Sequence, residues 1–100
     1  MIIYSITFAI DDSIQAEWLE YMKEYYLKDI MEIGLFNDYR FSKTHPTAEV
    51  DTAYNIQLRC DSITHIEIFE KQHAPHFDGK MMEKYRGKFG SFKLTLEEII

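Results

Sequence analysis

Ile2-Ile3-Tyr4-Ser5-Ile6-Thr7-Phe8-Ala9-Ile10-Asp11-Asp12-Ser13 opens the chain with two signals in twelve residues. Ile2, Tyr4, Ile6, Phe8 and Ile10 alternate with Ile3, Ser5, Thr7 and Ala9, the period of a β-strand with one well-buried face. Asp11-Asp12-Ser13 then supplies N-cap oxygens, and Gln15 stands three residues after Asp12, as a capping box requires, so a helix is expected to follow directly.

Along that helix Ile14, Trp18, Met22, Tyr25, Tyr26, Ile30 and Ile33 recur at steps near three or four and predict a buried stripe, with Glu17, Glu20, Lys23, Glu24 and Lys28 in water. Gly34 ends it. Leu35 to Lys43, rich in aromatic residues (Phe36, Tyr39, Phe41), reads as β2 and leads into a turn over Thr44-His45-Pro46-Thr47. Ala53 to Cys60 alternates again, Tyr54, Ile56, Leu58 and Cys60 against Ala53, Asn55, Gln57 and Arg59, and reads as β3 with one apolar and one polar face. Asp61-Ser62 caps a second helix bearing Ile63, Ile66, Phe69, Phe77, Met81 and Tyr85, which Pro75 interrupts or kinks around Ala74; Gly87 closes it. Phe89, Phe92, Leu94 and Leu96 complete β4. The order is β-α-β-β-α-β, the split βαβ of ferredoxin-like α+β domains: a four-stranded antiparallel sheet, β1 and β3 central, two helices on one face.

The other face is left open, and the strand phases place Ile3, Ser5 and Thr7 of β1, Asn55, Gln57 and Arg59 of β3, and Ser91 and Lys93 of β4 upon it. That mixture suits neither a dry core nor a plain solvent face, and two-fold packing against a second copy is the commonest way to cover one, so a homodimer is expected. The competing reading is a monomer whose face is simply solvated.

Composition narrows the function. One hundred residues with seven Tyr, seven Phe and one Trp support a single core, hence a single domain over 1–100. A net charge of −6 argues against a nucleic-acid partner, whose phosphates reward clustered cations. The lone Cys60 can form no internal disulfide and has no partner at metal-ligand spacing, and with neither a leader nor a twenty-residue apolar run in view, the expectation is a cytoplasmic protein that touches no membrane.

No constellation here dictates a reaction. His73 and His76 are three apart, and Asp78 or His65 could complete a metal site, but Pro75 disturbs the geometry and no Glu-x-x-His pattern supports it; neither metal nor cofactor is expected. Cys60 falls in an apolar phase and reads as a small buried hydrophobe. Lys80, Lys84, Arg86, Lys88 and Lys93 read as a solvated flank.

Met1-Ile2-Ile3-Tyr4, Glu17-Trp18-Leu19 with Met22-Lys23-Glu24, Asp29-Ile30-Met31 with Gly34 and Phe36, Tyr39-Arg40-Phe41, Cys60-Asp61-Ser62, Ala74-Pro75 and Gly87-Lys88-Phe89 before Ser91-Phe92 form one pattern across nearly the whole chain. It resembles a family of short bacterial proteins known only as a domain of unknown function (4286), itself similar to the dimeric α/β-barrel group, in which two ferredoxin-like sheets face each other. The resemblance implies that architecture but no activity. Where that family commonly has a His and a Pro, this chain has Tyr26 and Lys28, which leaves no role for that imidazole. Two functions are compatible: a dimeric module that binds a small apolar or aromatic molecule, or a protein, without chemistry of its own; and a cofactor-independent enzyme, monooxygenase- or isomerase-like, acting on a hydrophobic small molecule. The candidate ligand-binding residues are Trp18, Met22, Tyr26, Arg40, Arg59, His65 and His73.

Overall fold

The computed structural model describes residues 1–45 and 52–100. Pro46 and Thr47 of the expected turn lie outside them. β1 (Ile2–Ile10) pairs on both sides, antiparallel to β3 (Ala53–Cys60) and to β4 (Phe89–Glu97), and β2 (Asp38–Thr44) completes the sheet in the order β2-β3-β1-β4. A helical run over 15–32 separates β1 from β2, and two helices, α3 (Ile63–Gln72) and α4 (Ala74–Tyr85), separate β3 from β4.

The alternation of β1 does what its pattern requires. Tyr4, Ile6 and Phe8 are buried together with Tyr54, Ile56 and Leu58, their register partners on β3. The helices pack on this side: the Trp18 ring lies 5.3 Å from Phe8 and 5.1 Å from Tyr54, and Phe69 lies 5.6 Å from Tyr4. Tyr26 meets Phe77 at 5.3 Å, joining the two helical layers.

Several local expectations are corrected. The cap is Asp11, one residue earlier than the sequence suggests: its carboxylate accepts from the Ser13 backbone N–H and hydroxyl, and a short 3-10 turn, Asp12–Ile14, precedes α1 (Gln15–Tyr21). Gln15 is thereby free of capping and donates to the Tyr54 hydroxyl instead. Between α1 and α2 (Leu27–Glu32) the chain winds through a π-helical turn, Met22–Tyr26, in which the Leu27 N–H reaches Met22 O. The wider turn keeps Met22 and Tyr26 in the core but turns Tyr25, expected in the buried stripe, out to 57% exposure.

β2 begins at Asp38 rather than Leu35, because Phe36 is drawn off the strand path into the core, 5.3 Å from Phe69. The expected second helix is two helices divided at His73, and Pro75 occupies the first turn of α4, where its missing N–H costs no hydrogen bond. Gly34 and Gly87 follow helix ends at φ +84° and +77°, a conformation that disfavours any residue with a Cβ.

The largest correction concerns β4. Register pairs Tyr4 with Thr95, Ile6 with Lys93 and Phe8 with Ser91, so Ser91 and Lys93 point to the helical side, not away from it. The Lys93 ammonium reaches down that side to the Asp78 carboxylate of α4 at 2.8 Å. Phe92, Leu94 and Leu96 accordingly face outward, opposite Thr7, Ser5 and Ile3.

Trp18 contacts the sheet from the middle of this core, so Trp18→Ala should lower unfolding stability by about 3–5 kcal/mol, read as a lower urea midpoint by far-UV circular dichroism. A loss below 1 kcal/mol would show that the layer does not depend on it.

Candidate functional site

The open sheet face has two unlike halves. β4 carries an apolar row, Phe92 at 58%, Leu94 at 53% and Leu96 at 40% exposure, flanked by Ile3. β1 and β3 carry a polar strip in which Asn55 ties two hydroxyls together: its Nδ2 lies 2.9 Å from Ser5 Oγ and 3.1 Å from Thr7 Oγ1. Covering this strip therefore strands few hydrogen-bonding groups, while covering the row removes apolar area from water.

Arg59 and Arg40 stand on the same face, Arg40 opposite Gln57 and Arg59 opposite Asp38. The Arg59 guanidinium is held by Asp38 at 3.6 Å and Glu98 at 3.2 Å, a clamp between β2, β3 and the C-terminal tail, and its Nε has no hydrogen-bond partner among the described residues. Of the predicted site residues, these two share a surface. Trp18, Met22 and Tyr26 are instead closed inside the core, where the Trp18 indole N–H points to the Met81 sulfur at 3.3 Å. His65 and His73 are partly buried on the α3 flank, His65 with Nδ1 unpartnered among the described residues and His73 stacked beside Phe69 at 6.3 Å.

The buried phenols are held protonated. Tyr4 donates to the Glu70 carboxylate, and burial together with that acceptor raises its pKa far above the ordinary tyrosine value. Burial likewise raises Tyr26, helped by the Asp78 charge. Burial also lifts the Cys60 thiol, away from the thiolate needed of a nucleophile. Among the described residues no three His, Cys, Asp or Glu side chains gather as a metal site, and no helix is long and apolar enough to cross a membrane. Of the C-terminal cations, Lys84 sits over the Tyr21 ring at 5.1 Å and Lys93 is paired with Asp78.

The profile of a family described as a domain of unknown function (DUF4286) matches residues 1–99. The chain belongs to that family. No curated protein matches this DUF4286 chain. Solved structures share its fold. It is similar to a protein of the ethyl tert-butyl ether D (EthD) family from Bacillus halodurans at 10% identity and TM-score 0.74, over 99% of this chain and 100% of that one. It is also similar to a dimeric ferredoxin-like protein of unknown function from Thermobifida fusca, at 15% identity and TM-score 0.61 over 96% and 92%. A third, a dimeric ferredoxin-like protein from an uncultured marine organism, aligns at 10% identity and TM-score 0.57 over 99% and 96%. The DUF4286 domain thus has a four-stranded antiparallel sheet with ferredoxin-like neighbours.

The sequence had no means of marking the Phe92-Leu94-Leu96 row as outward, since apolar residues are ordinarily assigned inward; only the pairing of β4 with β1 reverses them.

Raised tyrosine pKa values fix a sign. Below about pH 10, the unfolded value, both states hold the phenolic protons; above it the unfolded chain releases them first, so stability falls as pH rises. Urea midpoints at pH 8, 10 and 11 should fall across that window, and less steeply in Tyr26→Phe; an equal slope in that variant would contradict the assignment.

Proposed function

We propose that this DUF4286 protein is a homodimeric binding module in which two copies pack their open sheet faces, in the manner of a dimeric α/β-barrel with β-α-β-β-α-β protomers, and that the assembly takes up a small apolar or aromatic molecule. The observation that carries the reading is the outward row Phe92, Leu94 and Leu96 beside a polar strip that is already hydrogen-bonded within itself. Two of the structural neighbours are described as dimeric, which favours a homodimer here as well.

Arg40 and Arg59 are the proposed polar groups at the edge of the paired faces, and His65 and His73 the proposed ones on the α3 flank. Trp18, Met22 and Tyr26 would enter a ligand site only on opening of the helical layer. Binding is preferred to catalysis because the buried phenols are held protonated. A cofactor-independent enzyme would need a base other than Tyr4 or Tyr26.

Sedimentation equilibrium should give twice the chain mass for the wild type. Leu94→Glu places a carboxylate in the middle of the row and should weaken the dimer by at least about tenfold, since burying an unpaired charge costs more than 1.4 kcal/mol, while circular dichroism stays that of the folded domain. A wild-type monomer at all concentrations, or an unchanged dimer in Leu94→Glu, would overturn the reading.

A further inference from the structure

On the opposite side of the sheet from the open face, the first helix and the edge strand β2 leave a cleft of about 310 Å³. Its construction follows from two periodicities. Gln15, Leu19 and Lys23 are spaced four apart along the helical run and lie on one face of it. Phe41 and Lys43 alternate on β2 and point to the helical side, Lys43 directly opposite Tyr54 of β3. These six residues, together with Ser42, line the cleft.

Its chemistry differs from that of the neighbouring clefts. Leu19 and Phe41 supply an apolar wall, Lys23 and Lys43 supply two positive charges, and among the described residues no carboxylate is part of the lining. Three other clefts each include acidic side chains: Glu67 and Glu70 in one, Asp29 and Glu83 in another, Asp11 in the third. In a chain of net charge −6, a lining that brings two cations together and, among the described residues, no acid is an unusual local composition. Gln15 and Tyr54 add a neutral donor. Gln15 Nε2 donates to the Tyr54 oxygen, so the phenolic proton is left to donate elsewhere; with the amide reversed, the phenol would donate to Gln15 and leave the amide N–H₂ free. Either arrangement keeps one hydrogen-bond donor between the two lysines' elements.

We propose that this cleft binds a small amphipathic anion: a carboxylate held by Lys23, Lys43 and the Tyr54–Gln15 pair, on an apolar or aromatic body that rests against Leu19 and Phe41. The volume lies at the lower end of the range for small-molecule sites, about 300–1,000 Å³, which suits one or two rings rather than a long chain. A few placed polar groups on an apolar wall are what such sites need to fix orientation, and charge-assisted hydrogen bonds supply it for a carboxylate. The inference rests on the binding reading above, moves its site to this cleft on the helical side, away from Arg40, Arg59, His65 and His73, and specifies its ligand class; it does not depend on the dimer.

The test is an NMR titration of the full-length ¹⁵N-labelled protein with 1-naphthoate, with 1-naphthamide as the uncharged match. Saturable amide shifts centred on Leu19, Lys23, Phe41 and Lys43 are expected. Lys23→Gln and Lys43→Gln should each weaken naphthoate binding by about tenfold, and raising the salt from 50 to 500 mM should weaken it further. Both lysines are exposed, so these variants should keep the wild-type spectrum outside the cleft. Equal binding of the amide, or variants that bind naphthoate as well as the wild type, would overturn the anion site. Saturable shifts at Phe92 and Leu94 in place of the cleft would overturn this site while leaving the binding reading standing. No saturable shift with either probe would overturn both.

Discussion

β1 is hydrogen-bonded along both edges, to β3 on one side and β4 on the other, and its phase sets the phase of everything beside it. Tyr4, Ile6 and Phe8 must lie under the helices, since a one-residue slip would exchange them for Ile3, Ser5 and Thr7 and place two hydroxyls beneath Trp18 and Phe69. With that phase held, Ile56 and Leu58 can only point to the helical side on β3, and Lys93 can only do so on β4. The exposure of Phe92, Leu94 and Leu96 is then a consequence of the central strand, not an independent choice of the edge strand.

This constraint explains why β4 departs from the usual distribution of polar and apolar residues. An edge strand that faced water on its outer side would carry its polar residues there. Here Ser91, Lys93 and Thr95 lie toward the helices, where α4 leaves room for Lys93 to reach Asp78, and the apolar residues lie on the uncovered side. The inversion is stable in the folded protein if something covers the row. The neighbouring strip is prepared for cover as well, because Asn55 occupies the hydroxyls of Ser5 and Thr7. A second copy of the same face is the simplest partner that is apolar along one strip and has the Ser5–Thr7–Asn55 group already hydrogen-bonded along the other.

The four strands of the antiparallel sheet, with β1 and β3 at its centre, were legible in the chain because β1 and β3 alternate without interruption and each has polar residues on one face only. What the pattern did not carry was local winding and edge phase. Tyr25 and Tyr26 are both spaced as stripe residues, and only the π-helical turn decides that one is buried and the other not. Phe36 resembles a strand residue but is taken by the core before β2 begins. The candidate site divides in the same way. Alternation placed Arg59 on the open face, and the pairing of β2 with β3 adds Arg40 to it. Trp18, Met22 and Tyr26 could not be told apart from a cleft lining, because a helical spacing of large apolar residues describes a core and a pocket equally well. Lys23 and Lys43 of the helix–β2 cleft are distant in sequence and carry no motif, so their common lining emerges only once β2 is docked beside the first helix.

Dimerisation through the sheet face is the claim on which the account turns, and isotope-filtered NOE spectroscopy addresses it without a mutation. A sample mixed from ¹³C-labelled and unlabelled chains reports only contacts between copies. The account predicts intermolecular NOEs from the methyl groups of Leu94 and Leu96 and the ring of Phe92 to residues of the same face, Ile3 among them. Intermolecular NOEs confined to the helical side, or none at millimolar concentration, would contradict it.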